Sequence, residues 1–495
     1  MKRLFAATLI MGSATVITAL IGIVNRKILA LYIGPTGVGV LDQLVDFNVL
    51  IIGLASFGLG DGIIKYVSEF ESGQQTERLR DFLRTIILAL AGIAAAVTVA
   101  LLLLAPNVSA ILLNSPTYAS LIMLLALTLP CSVLAAVLRS AVNGYHQVRY
   151  LALMSVLPAF SILVLAWPLI TTWHLLGAVI NVVISTVLTL LVACYFFVRS
   201  AGRAFVGTIF REGRFRPRLL LLVATFGVVS LIAGFATNQT LIWVRRFIID
   251  ALGKDAVGLF SVANSLSDQT LNLVLIALGS YSYARLSAMR DRTEIAHEVN
   301  YTLRVVVLVG VALLFLISVF RFWIVPILFS GAFLPATALI PAQSIGDFFK
   351  ILMWSLGLAL LPMGRTRAYL AYWLIWCASF VGLAYAGIQV FGLIGAMYAH
   401  IGAHALAVLL LYLDQRRILH LQITPANWKL FASSLILLGT VVVFDANEWY
   451  LYPLFLGELA LWALLNVTRG ERLAVLRIAQ ARLPLLRQMP SALHK

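Results

Sequence analysis

Charged residues are scarce in this sequence, and their scarcity excludes an ordinary soluble domain. Asp, Glu, Lys and Arg make up 11% of the 495 residues, while hydrophobic residues make up 62%. Soluble globular chains carry roughly a quarter charged residues. So few polar side chains cannot coat a water-facing globule of this size, which leaves a lipid bilayer as the solvent for most of the surface.

Sequence signals for a metal, a disulfide or a nucleotide are also missing. The three cysteines lie in apolar runs without a CxxC motif, so we interpret them as small buried hydrophobes and predict neither a disulfide nor a metal site. There is no GxxxxGK(S/T) loop and no HExxH motif. His400 and His404 have i, i+4 spacing, which alone is a weak metal signal, and we interpret them as core or interface residues. We therefore expect no catalytic constellation, no metal and no cofactor.

Long apolar runs, by contrast, fill the sequence. A spanning helix needs about 20 apolar residues, and runs of this kind follow one another along the whole chain. They predict an all-α polytopic membrane protein with about 14 transmembrane helices, at 8–32, 40–64, 82–105, 118–143, 151–169, 175–198, 219–250, 256–283, 300–320, 337–362, 369–389, 393–413, 428–444 and 449–467.

The net charge of +16 follows the connections between these runs. A basic chain can bind nucleic acid, but here the bases lie in short segments rather than on a polar domain, so we expect no nucleic acid partner. Every second connection is rich in arginine, and Lys254 and Arg321 are the exceptions in the other set. Positive connections stay in the cytoplasm, which predicts that both termini are cytoplasmic. The connections without any Lys or Arg are 33–39, 106–117, 170–174, 390–392 and 445–448.

The sequence also contains an internal repeat. A basic pair and a glycine-containing turn at 26–39 recur 219 residues later at 245–258. A repeat displaced by six helices keeps its orientation, and it predicts two six-helix lobes related by a pseudo-twofold axis along the membrane normal. Two such lobes favour alternating access. The predicted division of the chain is an N-terminal lobe at 1–198, a cytoplasmic linker at 199–218, a C-terminal lobe at 219–415, two additional helices at 416–468 and a basic cytoplasmic tail at 469–495.

The two basic pairs of the repeat are the candidate binding residues. Ionisable groups within a bilayer are costly and normally face a cavity or a partner. The repeat places Arg26 and Lys27 opposite Arg245 and Arg246, near the extracytoplasmic end of the lobe interface. The arginine guanidinium can donate two parallel hydrogen bonds to phosphate oxygens, so a pyrophosphate is the expected ligand. The alternative is that these long side chains reach the lipid headgroups.

Further charges at depth are candidates for coupling or gating. Asp347 and Lys350 have i, i+3 spacing and could pair on one helix face. The alternative role for such a pair is a static contact between helices. The complete set of these candidates is Asp42, Asp46, Asp268, Asp347, Lys350 and Arg139.

Several short stretches resemble the Wzx-type polysaccharide flippases of the multidrug/oligosaccharidyl-lipid/polysaccharide exporter superfamily. Within that group, the resemblance is strongest to the O-antigen and enterobacterial-common-antigen translocases. The resemblance implies two lobes around a central cavity and a substrate glycan on undecaprenyl pyrophosphate. Many of these flippases end after twelve spans, whereas this chain adds two, as lipid II flippases do. The matching stretches are 34–39, 62–67, 265–268, 346–350 and 392–396.

The leading hypothesis is therefore an undecaprenyl-pyrophosphate-linked oligosaccharide flippase in a bacterial inner membrane. Its expected partners are the lipid-linked glycan, membrane lipids, a coupling proton or cation and the polysaccharide polymerase machinery. An ion-coupled multidrug exporter and a lipid II flippase of the same superfamily remain as alternatives. A membrane enzyme such as a polymerase or ligase would need a large outer loop, and the predicted outer loops are short.

Overall fold

A computed structural model describes residues 2–444, 448–468 and 470–471 of the chain. These residues form helices joined by short turns, without a strand among them. The α-helices are α1 (Lys2–Tyr32), α2 (Gly34–Ala55), α3 (Gly60–Ser72), α4 (Thr76–Leu113), α5 (Ala119–Ala126), α6 (Leu129–Gly144), α7 (Val148–Ala201), α8 (Arg203–Arg211), α9 (Arg218–Leu252), α10 (Lys254–Ala288), α11 (Arg292–Val319), α12 (Arg321–Leu328), α13 (Ile340–Gly357), α14 (Thr366–Phe391), α15 (Leu393–Ile418), α16 (Pro425–Val443) and α17 (Tyr452–Asn466).

The all-α membrane class predicted from the sequence is confirmed. Each predicted run coincides with a helix or with a pair of short helices, and the fifth and sixth runs are joined in α7, which is interrupted at His174 by a non-helical backbone (φ 47°, ψ −122°). Within the described residues, nine helical segments are long and apolar enough to cross a membrane. The count of fourteen spans stays a prediction, as does the basic tail at 469–495, which lies almost wholly outside the described residues.

The two copies of the repeat share their turn geometry. Gly34, between α1 and α2, has φ +62°, and Gly253, between α9 and α10, has φ +88°. Positive φ costs glycine little because it lacks a Cβ atom. Each glycine therefore lets the chain reverse direction within one or two residues. In the folded chain, α2 packs against both α9 and α10.

The last two helices pack on the outside of α11. Asn427 in α16 donates to the backbone oxygen of Asn300 at 2.9 Å. Arg304 binds Glu471 beyond α17 at 2.6 Å and the backbone oxygen of Asn466 at 2.6 Å. The arginine thereby lowers the pKa of Glu471 to about 2. These contacts attach the additional helices to the second copy of the repeat.

The segment after α7 packs against the first turns of α4. Asp81 in α4 is buried, and it accepts a hydrogen bond from the backbone of Arg214 at 2.7 Å and an ion pair from Arg216 at 2.8 Å. Arg80 makes a second ion pair with Glu212 beyond α8. The predicted linker is thus held by charges on one helix of the first repeat copy.

Candidate functional site

The two copies of the repeat meet where α2 and α10 begin, on the side predicted to be extracytoplasmic. Thr36 in α2 donates a hydrogen bond to Asp255 in α10. A Cβ atom on Gly39 would lie 2.7 Å from the backbone nitrogen of Gly258, and one on Gly258 would lie 2.1 Å from the backbone oxygen of Pro35. Thr36 and Asp255 occupy equivalent positions of the repeat, and so do Gly39 and Gly258. The two copies of the repeat therefore touch each other through equivalent residues, in a direct contact between helix backbones.

Four charged side chains lie on the inner side of this contact, and we call them the outer charge cluster: Arg26, Asp42, Asp46 and Arg245. Arg26 binds the carboxylate of Asp42 through both terminal nitrogens, each at 2.6 Å. Arg245 forms an ion pair with Asp46. The Arg26 and Arg245 side chains are 15% and 6% exposed, so neither extends into the surrounding lipid. Two cations and two anions make the cluster neutral.

The outer charge cluster joins the two copies of the repeat by a matched pair of contacts. Arg245 in α9 reaches Asp46 in α2, and Arg26 in α1 donates to the hydroxyl of Ser265 in α10 at 3.2 Å. Ser265 is the equivalent of Asp46 in the repeat, so the two contacts correspond to each other. The first is an ion pair and the second a hydrogen bond to a neutral group.

The other two predicted bases lie beside the cluster rather than in it. Lys27 donates to the backbone oxygen of Pro326 at 2.7 Å. Arg246 pairs with Asp250 on its own helix at 3.1 Å and donates to the backbone oxygen of Ala110 at 3.2 Å. Neighbouring residues on a helix point about 100° apart, which explains why the members of each basic pair have different partners.

A second polar group lies between α10 and α13. Lys350 forms its ion pair with Asp268, which also accepts a hydrogen bond from Asn264 at 3.1 Å. The sequence spacing suggested that Lys350 could pair with Asp347, and this was wrong. The long lysine side chain reaches Asp268 in α10, whereas Asp347 binds Ser267 in α10 and His400 in α15.

Asp347 is completely buried and has partners on three helices. It accepts hydrogen bonds from Ser267 in α10 and from Gln343 in α13, the latter at 3.3 Å. His400 in α15 lies with its Nε2 atom 3.1 Å from the same carboxylate. The ring packs against Gly346, where an added Cβ atom would lie 2.1 Å from it. His400 is buried, as expected of a core residue, and its contact with Asp347 could not be predicted from the spacing of the two residues.

Arg139, the remaining candidate, lies apart from both groups. Its Nη2 atom donates to Ser155 in α7 at 2.8 Å. The side chain lines a cavity of about 270 Å³ between α2, α6 and α7, together with Thr186 and Thr189. The structure therefore leaves Arg139 within the first copy of the repeat.

A cavity of about 290 Å³ adjoins the Asp268–Lys350 pair, and we call it the aromatic cavity. It lies between α9, α10, α13, α14 and α15. The ion pair forms part of one wall, and its exposed fractions of 35% and 29% show that both charges face the cavity. The cavity also has an aromatic wall that no sequence motif indicated, and it consists of Trp354, Trp373, Trp376 and Phe380.

Comparison with known proteins identifies the family. Residues 4–289, more than half of the chain, match the family described as "Polysaccharide biosynthesis protein". The chain belongs to this family. It is 22% identical over 396 residues to the lipid III flippases of Escherichia coli (strain K12) and Shigella flexneri, an alignment that covers 77% of this chain and 93% of each relative.

Two solved structures show how widely the fold of this family member is shared. The lipid II flippase MurJ in its inward closed conformation has a TM-score of 0.74 at 15% identity, and the match covers 94% of this chain and 100% of MurJ. An inward-facing multidrug resistance MATE family transporter of the MOP superfamily has a TM-score of 0.67 at 16% identity over 81% of this chain and 94% of that chain. The resemblance to polysaccharide flippases of this superfamily is confirmed, and none of these matches is to an enzyme family.

Proposed function

We propose that the protein is a flippase that moves an undecaprenyl-pyrophosphate-linked oligosaccharide, such as an O-antigen repeat unit, from the inner to the outer leaflet of a bacterial inner membrane. The proposal rests above all on the outer charge cluster, where buried arginines from both copies of the repeat meet at one interface. The similarity to lipid III flippases supports a lipid-linked glycan as the substrate class. We retain the predicted two-lobe division of the chain and the cytoplasmic placement of both termini as parts of this proposal.

Exchange of anions would open the outer side. Arg26 and Arg245 are held by carboxylates, and a pyrophosphate offers oxygens that match the guanidinium geometry at least as well. Removing one partner of a buried ion pair costs about 3–5 kcal/mol, so the cluster stays closed until another anion replaces the carboxylates. A substrate that binds the arginines better in the open state shifts the equilibrium toward that state. Substrate binding and outward opening are thereby linked.

The energy source is a separate part of the proposal. Asp268, Asp347 and Lys350 remain our candidates for coupling a proton or cation, and Arg139 remains a candidate for gating. These three residues lie within 268–350, in the second copy of the repeat, whereas Asp42 and Asp46, the other two acids proposed for coupling, belong to the outer charge cluster. Membrane lipids and the polysaccharide polymerase machinery remain the proposed partners.

A lipid II flippase is the second candidate function. The specific observation that favours it is the MurJ match, which covers 94% of this chain and therefore extends into the two additional helices. A multidrug exporter of the same superfamily stays an alternative, and the match to a multidrug resistance MATE family transporter favours it.

The proposal is tested by replacing both arginines of the cluster. In cells that depend on this gene for surface glycan, the double variant Arg26→Ala, Arg245→Ala should abolish surface display and cause lipid-linked glycan to accumulate. Arg78→Ala is the control, because Arg78 is exposed at the start of α4 and donates to its neighbour Gln75 at 2.9 Å. Normal display in a double variant that reaches the membrane at wild-type levels would overturn the pyrophosphate site.

A further inference from the structure

The aromatic cavity continues into a second space, which lies between α13 and α14. The second space, of about 190 Å³, shares Met353, Trp354 and Trp373 with the aromatic cavity and adds Tyr369 and Tyr372. These two tyrosines lie in the first two turns of α14, directly after the arginine-rich turn that the charge pattern places in the cytoplasm. The two spaces together extend from that end of α14 to the Asp268–Lys350 pair.

One wall of this path is a continuous row of aromatic rings on α14. Tyr369 and Trp373 are stacked with their ring centroids 5.8 Å apart and their planes at 23°. Trp373 and Trp376 are 5.5 Å apart, and Trp376 and Phe380 are 6.0 Å apart. Spacings of three and four residues place these side chains on one helix face. A row of this kind often belongs to a helix-packing core, but here Tyr369 and Trp373 are only half-buried and line open space.

The opposite wall carries hydrogen-bonding groups at helical spacing. Asn264, Asp268 and Asn272 follow one another at intervals of four residues on α10 and all line the aromatic cavity. Asp268 is neutralised by Lys350. The wall therefore offers amides, a carboxylate and an ammonium group without an excess of either charge.

Two such walls match the two chemical surfaces of a sugar ring. The C–H face of a pyranose packs on aromatic rings, whose faces carry partial negative charge. Its hydroxyl groups both donate and accept hydrogen bonds, as required by amide and carboxylate partners. We infer that the aromatic cavity is a carbohydrate subsite that binds sugar residues of the glycan headgroup. This inference rests on the proposed flippase function and names the part of the site that contacts the glycan.

The position of α10 connects this subsite to the outer charge cluster. Ser265 contacts Arg26 in the cluster, while Asn264 and Asp268, its neighbours in sequence, face the aromatic cavity. One helix thus contacts both proposed binding regions within about one turn. A pyrophosphate at Arg26 would have its first sugars directed along α10 toward Trp373.

A binding experiment on the full-length chain tests the subsite. The probes are undecaprenyl pyrophosphate and undecaprenyl-pyrophosphoryl-N-acetylglucosamine, measured by native mass spectrometry or by fluorescence. The wild-type protein should bind the sugar-bearing lipid more tightly. Trp373→Ala should weaken binding of that probe about tenfold, the scale of one aromatic contact, and leave binding of the bare carrier unchanged. Trp373→Phe should retain most of the preference, and Trp167→Ala, a tryptophan that is 58% exposed on α7, should have no effect.

The outcomes separate this inference from the proposed function. Loss of binding of both probes in Arg26→Ala, with loss of only the sugar preference in Trp373→Ala, supports both. An equal affinity of the wild-type protein for the two probes, or a Trp373→Ala variant that retains the sugar preference, overturns the subsite alone. Unchanged binding of both probes in Arg26→Ala overturns the pyrophosphate site alone. Binding of the cationic dye ethidium that depends on Trp373, without any sugar preference, would assign the cavity to cations.

Discussion

Arg245 of α9 and Asp46 of α2, 199 residues apart in the sequence, form an ion pair between the two copies of the repeat, in which the arginine is buried and the aspartate is 26% exposed. Because the arginine side chain is 6% exposed, water contributes little to its solvation, and the carboxylate is its principal partner. The contact lies next to the backbone contact of Gly39 with Gly258. The charge pair and the glycine pair therefore stabilise the same closed arrangement of the outer side.

Exchanging the two charges should preserve this closure where single changes do not. Asp46→Arg and Arg245→Asp, each alone, leave two like charges in one buried site, and we expect a loss of surface display of about tenfold or more because breaking a buried pair costs about 3–5 kcal/mol. The double exchange restores opposite charges and should recover part of the display. Measurement of surface glycan, normalised to membrane protein level, checks this. A double variant no better than either single variant would contradict a role for the pair itself.

A side chain at the glycine crossing should prevent the outer side from closing. A Cβ atom in Gly39→Ala would meet the backbone of α10 at 2.7 Å. In a variant without its native cysteines, Thr36→Cys and Asp255→Cys should cross-link readily, because the native side chains are hydrogen-bonded. Adding Gly39→Ala should reduce that cross-linking severalfold. Gly92→Ala is the control, since no atom lies within 4 Å of its added Cβ.

The contact of His400 with the buried Asp347 should stabilise the folded protein. His400→Leu removes one hydrogen-bonding partner of a fully buried carboxylate and should lower the free energy of unfolding by about 1–3 kcal/mol. Asp347→Asn in the same chain should recover part of that loss, because the amide carries no charge. Thermal unfolding in detergent measures both effects. Gly346→Ala should act like His400→Leu by displacing the ring, whereas Gly382→Ala, with open space around it, should not.

The attachment of α17 should persist at mildly acidic pH. Arg304 lowers the pKa of Glu471 from its ordinary value of 4.5 to about 2. A carboxyl group whose pKa is lowered in the folded state contributes stability that is full above the ordinary pKa and is lost as pH falls through the lowered one. The backbone amide of Thr468, which donates to Glu471 at 2.7 Å, should therefore stay protected from hydrogen exchange at pH 5 and lose protection between pH 4.5 and 2. Glu471→Gln should show reduced protection at every pH in this range.

The all-α membrane class and the internal repeat could be predicted because they depend on local patterns in the sequence. Apolar runs of about 20 residues report directly on the bilayer. The offset between 26–39 and 245–258 predicted which turns correspond, and Gly34 and Gly253 do share a positive φ. These features require no knowledge of which helix faces which.

The partners of the charged residues could not be predicted, because they depend on rotation about each helix axis. Asp347 and Lys350 have the correct spacing to pair, yet each finds a closer partner on another helix. The acids Asp42 and Asp46 were recognised as deep charges, but their sequence position did not indicate that they neutralise the predicted arginines. Only the packing of α2 against α1 and α9 brings the acids and the arginines together.

The two arginines have partners of unequal strength across the interface, and this difference determines where the outer side separates first. Arg245 is held across the interface by a carboxylate, and Arg26 by the hydroxyl of Ser265. A hydrogen bond between a charged and a neutral group is weaker than one between two opposite charges. Separation should therefore begin at the edge formed by α1 and α10, with α2 and α9 acting as the hinge. A duplicated chain would in this way acquire a preferred direction of opening from one pair of equivalent positions that differ, Asp46 and Ser265.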